Sequence, residues 1–237
     1  MSVPSTGEER RAELAANLAQ VRARIAAATA AAGRPEGDVD LVVVTKFFPA
    51  SDVRLLAGLG VTDVGENRHQ EAEAKAAESR DLALRWHYIG GLQSNKAAAV
   101  AAYADVVESV DRPKLVGALD RGAAGRSVDV LLQVSLDPPG RDGRAGADPA
   151  ELPVLAAAVG DAEHLNLRGL MAVAPLGEDP AAAFDRLARI WHDFLVDHPE
   201  ATVLSAGMSG DLEQAIAAGA THVRVGSAVL GSRRTLK

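Results

Sequence analysis

Lys46 is the residue whose type and position most directly suggest chemistry. The chain has five lysines, and this one ends an apolar run that begins at Asp40. It shares the alternation of Val42 and Val44, which predicts that its amine faces a partly desolvated interior. Desolvation disfavours the ammonium form and leaves the free amine that Schiff-base chemistry needs. The alternative is an ordinary lysine on the solvated surface.

Glycine and serine residues at the ends of the last two predicted strands form a candidate anion site. Gly207 lets the backbone approach a ligand closely, and Ser209 stands where it could cap a helix that begins near Asp211. Gly226 and Ser227 repeat these features one strand later. Helix N-termini present free N–H groups to a phosphate. The alternative is a pair of tight turns with ordinary caps.

Arg224 and Asn67 are two further candidate ligand contacts. Val223 and Val225 occupy one face of the last predicted strand, so Arg224 is predicted to point into the interior from the other face. A buried guanidinium needs an acceptor, which is either a ligand or an internal carboxylate such as Glu66. Asn67 follows the second predicted strand, where it is either a ligand contact or a helix cap.

Composition and charge exclude several classes of protein. The chain has 237 residues, 48% of them apolar, and a net charge of −7, which argues against a general nucleic-acid binder. It has no cysteine, so disulfides, thiolate metal sites and cysteine nucleophiles are excluded. The histidines lack metal-ligand spacing. No signal-like start and no long apolar run is present, which predicts a cytoplasmic protein with no membrane partner.

Strand-like and helical segments alternate eight times along the chain. The predicted strands are 40–46, 61–65, 86–90, 106–110, 128–135, 167–173, 202–206 and 222–226, and helical periodicity appears at 67–79, 113–123, 180–196 and 211–218. This pattern predicts a single-domain (β/α)8 barrel over residues 1–237, with the barrel itself at about 40–231; an open doubly wound sheet is the alternative. Because barrel chemistry lies at the carboxyl ends of the strands, the candidate residues are expected to converge there.

Two segments lie outside this repeat. An amphipathic helix is predicted at about 8–32, with Thr6 and Glu9 as a capping box and with Gly33 and Pro35 as its stop signal. Residues 137–149 are rich in proline, glycine and charge, which predicts a mobile loop after the fifth strand.

Taken together, the motifs resemble the pyridoxal phosphate homeostasis protein family, also called YggS/PROSC. They are Thr45-Lys46, Gly65-Glu-Asn67 with Gln70-Glu71, Trp86-His-Tyr-Ile-Gly90, Leu92-Gln-Ser-Asn-Lys96, Gly169-Leu-Met171, Leu204-Ser with Gly207-Met-Ser209, and Val223-Arg-Val-Gly-Ser227. The resemblance covers about 40–231. It implies a fold-type III barrel, similar to the N-terminal domain of bacterial alanine racemase, that holds pyridoxal 5′-phosphate (PLP) at its strand ends.

The resemblance also implies a role for each candidate residue. Lys46 forms the Schiff base, Arg224 faces the pyridine nitrogen and Asn67 lies beside the ring. The phosphate is held by Ser209, Gly226, Ser227 and the backbone N–H of Met208. Arg68-His69, Gly91 and Ala206 depart from the usual family pattern, which puts the contacts around the ring in doubt but removes no expected ligand.

The function implied is intracellular PLP homeostasis by a monomeric carrier without robust catalysis, with PLP-requiring apo-enzymes as partners. A PLP-dependent amino-acid racemase is the alternative. A cation beside the pyridine nitrogen disfavours the protonated ring and so weakens the electron sink. Only 11 residues follow Gly226, which leaves no room for the C-terminal domain that supplies a racemase with its tyrosine. Both features favour the carrier.

Overall fold

Eight parallel strands close into a barrel in the computed structural model, which describes residues 7–137 and 146–231. The strands are β1 Asp40–Val44, β2 Asp63–Glu66, β3 Arg85–Tyr88, β4 Val106–Val110, β5 Val128–Gln133, β6 Leu165–Met171, β7 Val203–Ser205 and β8 His222–Val225. Each pairs with the next strand along the chain, and β8 pairs with β1. The predicted barrel is confirmed, and the open sheet is wrong because it would leave β1 and β8 apart.

Helices surround the barrel in the described part of the chain. They are α1 Gly7–Ala31, α2 Ala50–Ala57, α3 His69–Glu78, α4 Ser94–Ala101, α5 Pro113–Ala123, α6 Leu152–Gly160, α7 Pro180–Asp197, α8 Leu212–Ala217 and α9 Ser227–Leu230. Helical periodicity gives no bounds for α2, which is short, or for α6, which is apolar almost throughout. None of these helices is both long and apolar enough to cross a bilayer.

The helix α1 precedes the barrel and covers one side of it. Its apolar stripe is buried as predicted, through Leu14, Leu18, Val21 and Ile25. The helix ends at Ala31, and Gly33 follows with a φ of 69°, which agrees with the predicted stop signal. The predicted capping box includes Thr6, which lies outside the described residues.

Alternate strand residues face opposite sides of the barrel wall. Val43, Val64 and Val223 belong to the outer core that packs against α1. Val42 faces the interior, and its register partner on β8 is Arg224. The wall thus places the candidate arginine inside the barrel, as the alternation of β8 predicts.

The segment predicted as a mobile loop, 137–149, is described only near its two ends. Ala147 donates its N–H to the carbonyl of Gln133 and accepts from the N–H of Ser135, both at 2.8 Å. The chain therefore rejoins the end of β5 before Asp148 caps a short 3₁₀ turn at Pro149–Glu151. The prediction for residues 138–145 lies outside the described residues.

Candidate functional site

Lys46 lies two residues beyond β1, in the turn that leads to α2. The strand ends at Val44 rather than at the predicted residue 46, because the carbonyl of Thr45 accepts a hydrogen bond from the N–H of Phe48 at 3.1 Å. The side chain is half-buried, and its nearest aromatic contact is the Phe47 ring, with 5.9 Å from Nζ to the centroid. Nζ makes no hydrogen bond or ion pair with the described residues. The amine is therefore available to a ligand.

Asn67 follows β2 and lies beside the loop after β3. A Cβ on Gly90 would stand 2.3 Å from the carbonyl oxygen of Asn67, so only glycine permits this close approach. The side chain of Asn67 does not cap α3, which starts at His69 without a side-chain cap. Its Oδ1 is buried without a hydrogen-bond partner in the described structure. A buried unpaired amide oxygen is costly, and a ligand donor would satisfy it.

The loop after β7 and the start of α9 bring two serine hydroxyls together. Ser227 donates to Ser209 at 3.3 Å. The prediction that Ser209 caps the following helix is wrong: α8 begins at Leu212, and the Asp211 carboxylate folds back to accept the Met208 N–H at 2.6 Å. This region borders β1, because a Cβ on Gly226 would stand 3.1 Å from the carbonyl oxygen of Val44. The proposed phosphate ligands thus adjoin the strand that leads to Lys46.

We expect the Gly207→Ala variant to lose about 2 kcal/mol or more of unfolding free energy. The φ of Gly207 is 90°, and a Cβ there would lie 2.6 Å from the Cβ of Ala215. Urea denaturation measures the loss. Gly210→Ala is the matched control in the same loop, because its Cβ would meet nothing within 4 Å. Equal stability of the two variants would contradict this account of the turn.

Arg224 is buried inside the barrel, and two of its nitrogens donate to protein acceptors. Nη1 donates to Ser205 Oγ at 2.6 Å, and Nη2 donates to the carbonyl of Ala172 at 2.8 Å. The nearest carboxylate is Glu108, whose Oε2 lies 3.8 Å from Nη1. Glu66, which was named as an example of such a carboxylate, is not the partner, because its side chain lies outside the wall against Lys75 of α3. Burial lowers the pKa of the guanidinium, whereas the charges of Glu108 and Asp211 oppose this shift.

The network continues from Glu108 to the opposite end of the barrel. Ser205 donates to Glu108 Oε2 at 2.6 Å, and Oε1 contacts His87 Nδ1 at 2.7 Å. His87 Nε2 in turn contacts Asp63 at 2.9 Å. Burial alone would raise the pKa of Glu108, but His87, Arg224 and Ser205 outweigh it and lower the pKa to about 2. The network thus combines two carboxylates and two cations in the interior.

Stability is expected to fall as the pH rises from about 6.5 to about 8. Burial would lower the pKa of His87, but Asp63 and Glu108 outweigh it and raise the pKa to about 8 from 6.5. The charged imidazole therefore stabilises the fold fully below pH 6.5, and this contribution of about 2 kcal/mol is lost as the pH passes 8. Burial lowers the pKa of neighbouring His222, so the contribution of His222 to stability has the opposite sign and rises as the pH approaches and passes 6.5.

Urea unfolding at about pH 7 and about pH 9 measures this dependence, since unfolded His222 is mostly neutral above about pH 7. In His87→Gln the difference between the two conditions should largely vanish, whatever the stability of the variant itself. An unchanged difference in His87→Gln would show that other groups cause it.

Several residues of the site environment escape prediction from sequence. Ser205 and Glu108 each lie in an apolar strand pattern that gives no sign of a charge network. Lys75 was assigned only to a helical stretch, yet it is buried against Glu66 and Glu71. The spacing of Glu71 and Lys75, four residues apart on a helix, is the signal that indicates at least one of these pairs. No group of three metal-ligating side chains occurs among the described residues.

Comparison with known proteins identifies the family. Residues 12–234 match the family model described as alanine racemase, N-terminal domain. A relative from Mycobacterium tuberculosis, named pyridoxal phosphate homeostasis protein, is 44% identical over 95% of each chain. The chain belongs to the pyridoxal phosphate homeostasis protein family. A member from Escherichia coli is 37% identical, with 93% of this chain and 97% of that protein covered. The resemblance read from the motifs is thus confirmed.

Solved structures support the same family and fold. PipY of Synechococcus elongatus, whose structure has PLP bound, gives a TM-score of 0.79 at 38% identity and covers 92% of this chain and 100% of PipY. An alanine racemase from Corynebacterium glutamicum gives a TM-score of 0.69 at 15% identity, and this chain spans 62% of its length. At that identity, the similarity to the racemase shows a shared fold and nothing more.

Proposed function

We propose that this protein binds PLP at the carboxyl ends of its strands, holds it as a Schiff base on Lys46 and takes part in intracellular PLP homeostasis. The observation that carries the proposal is the half-buried Lys46 amine, which has no hydrogen-bond or ion-pair partner among the described residues and follows the strand that borders Gly226. When bound, PLP supplies an aldehyde that a primary amine captures.

The remaining residues of the site fit this cofactor. Arg224 presents a guanidinium for the pyridine nitrogen, and Asn67 has a buried oxygen without a partner for a donor near the ring. The phosphate is assigned to Ser209, Gly226, Ser227 and the Met208 N–H. That N–H donates to Asp211, so its use by a phosphate requires the carboxylate to release it.

The same residues support a carrier rather than a robust catalyst. Arg224 is held by Ser205 and Ala172 at a place where a carboxylate would keep the pyridine nitrogen protonated, so the cofactor's electron sink is weakened. The two tyrosines of the chain offer no hydroxyl to the interior. Tyr88 belongs to a second apolar cluster, which includes Ala97 and Val100 of α4, and Tyr103 lies beside His69 of α3. A racemase alternative therefore lacks an evident acid–base partner in the described barrel.

Two measurements test this proposal. Addition of PLP to the purified protein should produce the visible absorbance of a lysine Schiff base, at one equivalent per chain. Incubation of the loaded protein with single enantiomers of several amino acids should leave their optical rotation unchanged. Failure to bind PLP would refute the binding role, and robust racemisation would refute the carrier role.

The proposal extends to the biological setting of the protein. Residues 1–237 act as one binding domain, which works as a cytoplasmic monomer and passes PLP to apo-enzymes. The names of the curated relatives, which refer to homeostasis, support this setting. Light scattering of the loaded and unloaded protein tests the monomer, and activation of a PLP-free enzyme by the loaded protein tests transfer.

A further inference from the structure

A buried charged cluster lies behind the barrel wall, between β1, β2 and α3. It consists of Lys75, Glu66 and Glu71. Lys75 is 5% exposed, and its Nζ donates to Glu66 Oε1 at 2.6 Å, to Glu71 Oε1 at 2.7 Å and to the carbonyl of Thr45 at 2.8 Å. An ammonium has three donors, so all of them are used. This lysine is held in one place by two adjacent strands and a helix.

The turn that carries Lys46 has a strained backbone. The carbonyl of Thr45 accepts the N–H of Phe48, which makes Thr45–Phe48 a β-turn with Lys46 in its second position. Phe47 occupies the third position with a φ of 70°. Type II turns need this left-handed conformation at the third position, where glycine is usual because a side chain disfavours it. Such strain persists only where surrounding contacts fix it.

The cluster supplies those contacts on both sides of Lys46. Before it, Lys75 binds the carbonyl of Thr45, and Glu66 Oε1 accepts the Thr45 hydroxyl at 2.7 Å. After it, the Phe47 N–H donates to Glu71 Oε1 at 2.5 Å. The two peptide units that flank Lys46 are therefore both anchored to a single buried ammonium and its carboxylates.

Strand alternation separates the cluster from the candidate binding site. Thr45 and Glu66 continue the outward faces of Val43 and Val64, away from the interior that Val42 and Arg224 face. The cluster therefore acts on the backbone and needs no contact with a ligand. We propose that Lys75, together with Glu71, is a positioning residue that fixes the Lys46 turn so that its amine is aimed at the PLP aldehyde.

This inference rests on the proposed function for the identity of the aldehyde. In the capture, the Lys46 nitrogen bonds to the aldehyde carbon, and the aldehyde oxygen leaves as water with the two amine hydrogens. A misplaced amine slows this bond formation, whereas a ligand without the aldehyde does not depend on it. Pyridoxine 5′-phosphate, which carries an alcohol in place of the aldehyde, is the probe that separates the two effects.

The experiment compares Lys75→Met and Glu71→Met with the matched variants Lys114→Met and Glu71→Gln. Lys114 is exposed on α5, and glutamine at position 71 keeps an oxygen that accepts from Phe47 and Lys75. Stopped-flow absorbance should show PLP capture slowed by about tenfold or more in the two disruptive variants. Capture in the two matched variants, and the affinity of all four variants for pyridoxine 5′-phosphate, should equal that of the wild type. Glu71→Met serves as the test if Lys75→Met does not fold.

Amide hydrogen exchange at Phe47 reports the turn without any cofactor. It should accelerate by about tenfold or more in Glu71→Met and stay unchanged in Glu71→Gln. The positioning role would be overturned if Glu71→Met captured PLP at the wild-type rate or left the exchange of the Phe47 amide unchanged. It would also be overturned if the variant lost affinity for PLP and for pyridoxine 5′-phosphate in parallel. A wild-type protein that forms no linkage on Lys46 would instead refute the proposed function, and this inference with it.

Discussion

Lys46→Ala is expected to abolish covalent capture of PLP while the protein stays folded. The side chain is half-buried, and its amine makes no hydrogen bond or ion pair with the described residues. Its removal should therefore cost less than about 1 kcal/mol of unfolding free energy. The visible absorbance that follows PLP addition measures capture, and urea denaturation measures stability.

Lys114→Ala is the control for this variant, since it removes an exposed lysine from α5 and leaves the strand ends untouched. It should capture PLP as the wild type does. Lys46→Ala should still bind pyridoxine 5′-phosphate, because the residues assigned to the phosphate are intact. Undiminished PLP absorbance in Lys46→Ala would mean that another amine carries the linkage.

Glu108→Leu is expected to destabilise the protein by about 3–5 kcal/mol, because it leaves the buried charges of Arg224 and His87 without their shared partner. Glu108 is fully buried and contacts Ser205 at 2.6 Å and His87 at 2.7 Å. Glu108→Gln, which keeps hydrogen-bonding capacity, should lose less unfolding free energy than Glu108→Leu. Urea denaturation at constant pH provides the comparison.

Two further variants make the Glu108 prediction specific. Glu163→Leu changes an exposed glutamate in the same way and should shift stability by no more than about 0.5 kcal/mol. The double variant Glu108→Leu with Arg224→Met should be more stable than Glu108→Leu alone, since it removes the uncompensated cation. A double variant no more stable than the single one would place the loss in packing rather than charge.

The fold is predictable from the sequence because parallel strands buried on both faces appear as short apolar runs that alternate with helical segments. The strand at Val106–Val110 and the helix at Pro113–Ala123 have the predicted bounds. A predicted strand boundary is wrong where a turn interrupts an apolar run. This happens at Thr45, whose carbonyl accepts hydrogen bonds from the Phe48 N–H and from Lys75 Nζ. That failure depends on contacts from a helix about thirty residues away, which local periodicity does not encode.

The sequence predicts which face of its strand Arg224 occupies, but it does not predict which groups the guanidinium contacts. Alternation along β8 places Arg224 inside the barrel, yet it does not say which of the interior carboxylates lies at its height. Glu108 on β4 is the interior carboxylate that lies near the guanidinium, whereas Glu66 on β2 faces α3 outside the wall and pairs with Lys75. Lys75 was missed for a similar reason, because its burial results from three contacts that only the assembled wall and α3 provide.

The most direct measurement of the central claim is borohydride reduction of the PLP-loaded protein, followed by peptide mass spectrometry. Hydride adds to the imine carbon and water supplies a proton to the nitrogen, which leaves a stable pyridoxyl-lysine. Of the five lysines in the chain, Lys46 should carry the label at about one equivalent. A label on Lys75, Lys96, Lys114 or Lys237 in its place, or no label at all, would contradict the account.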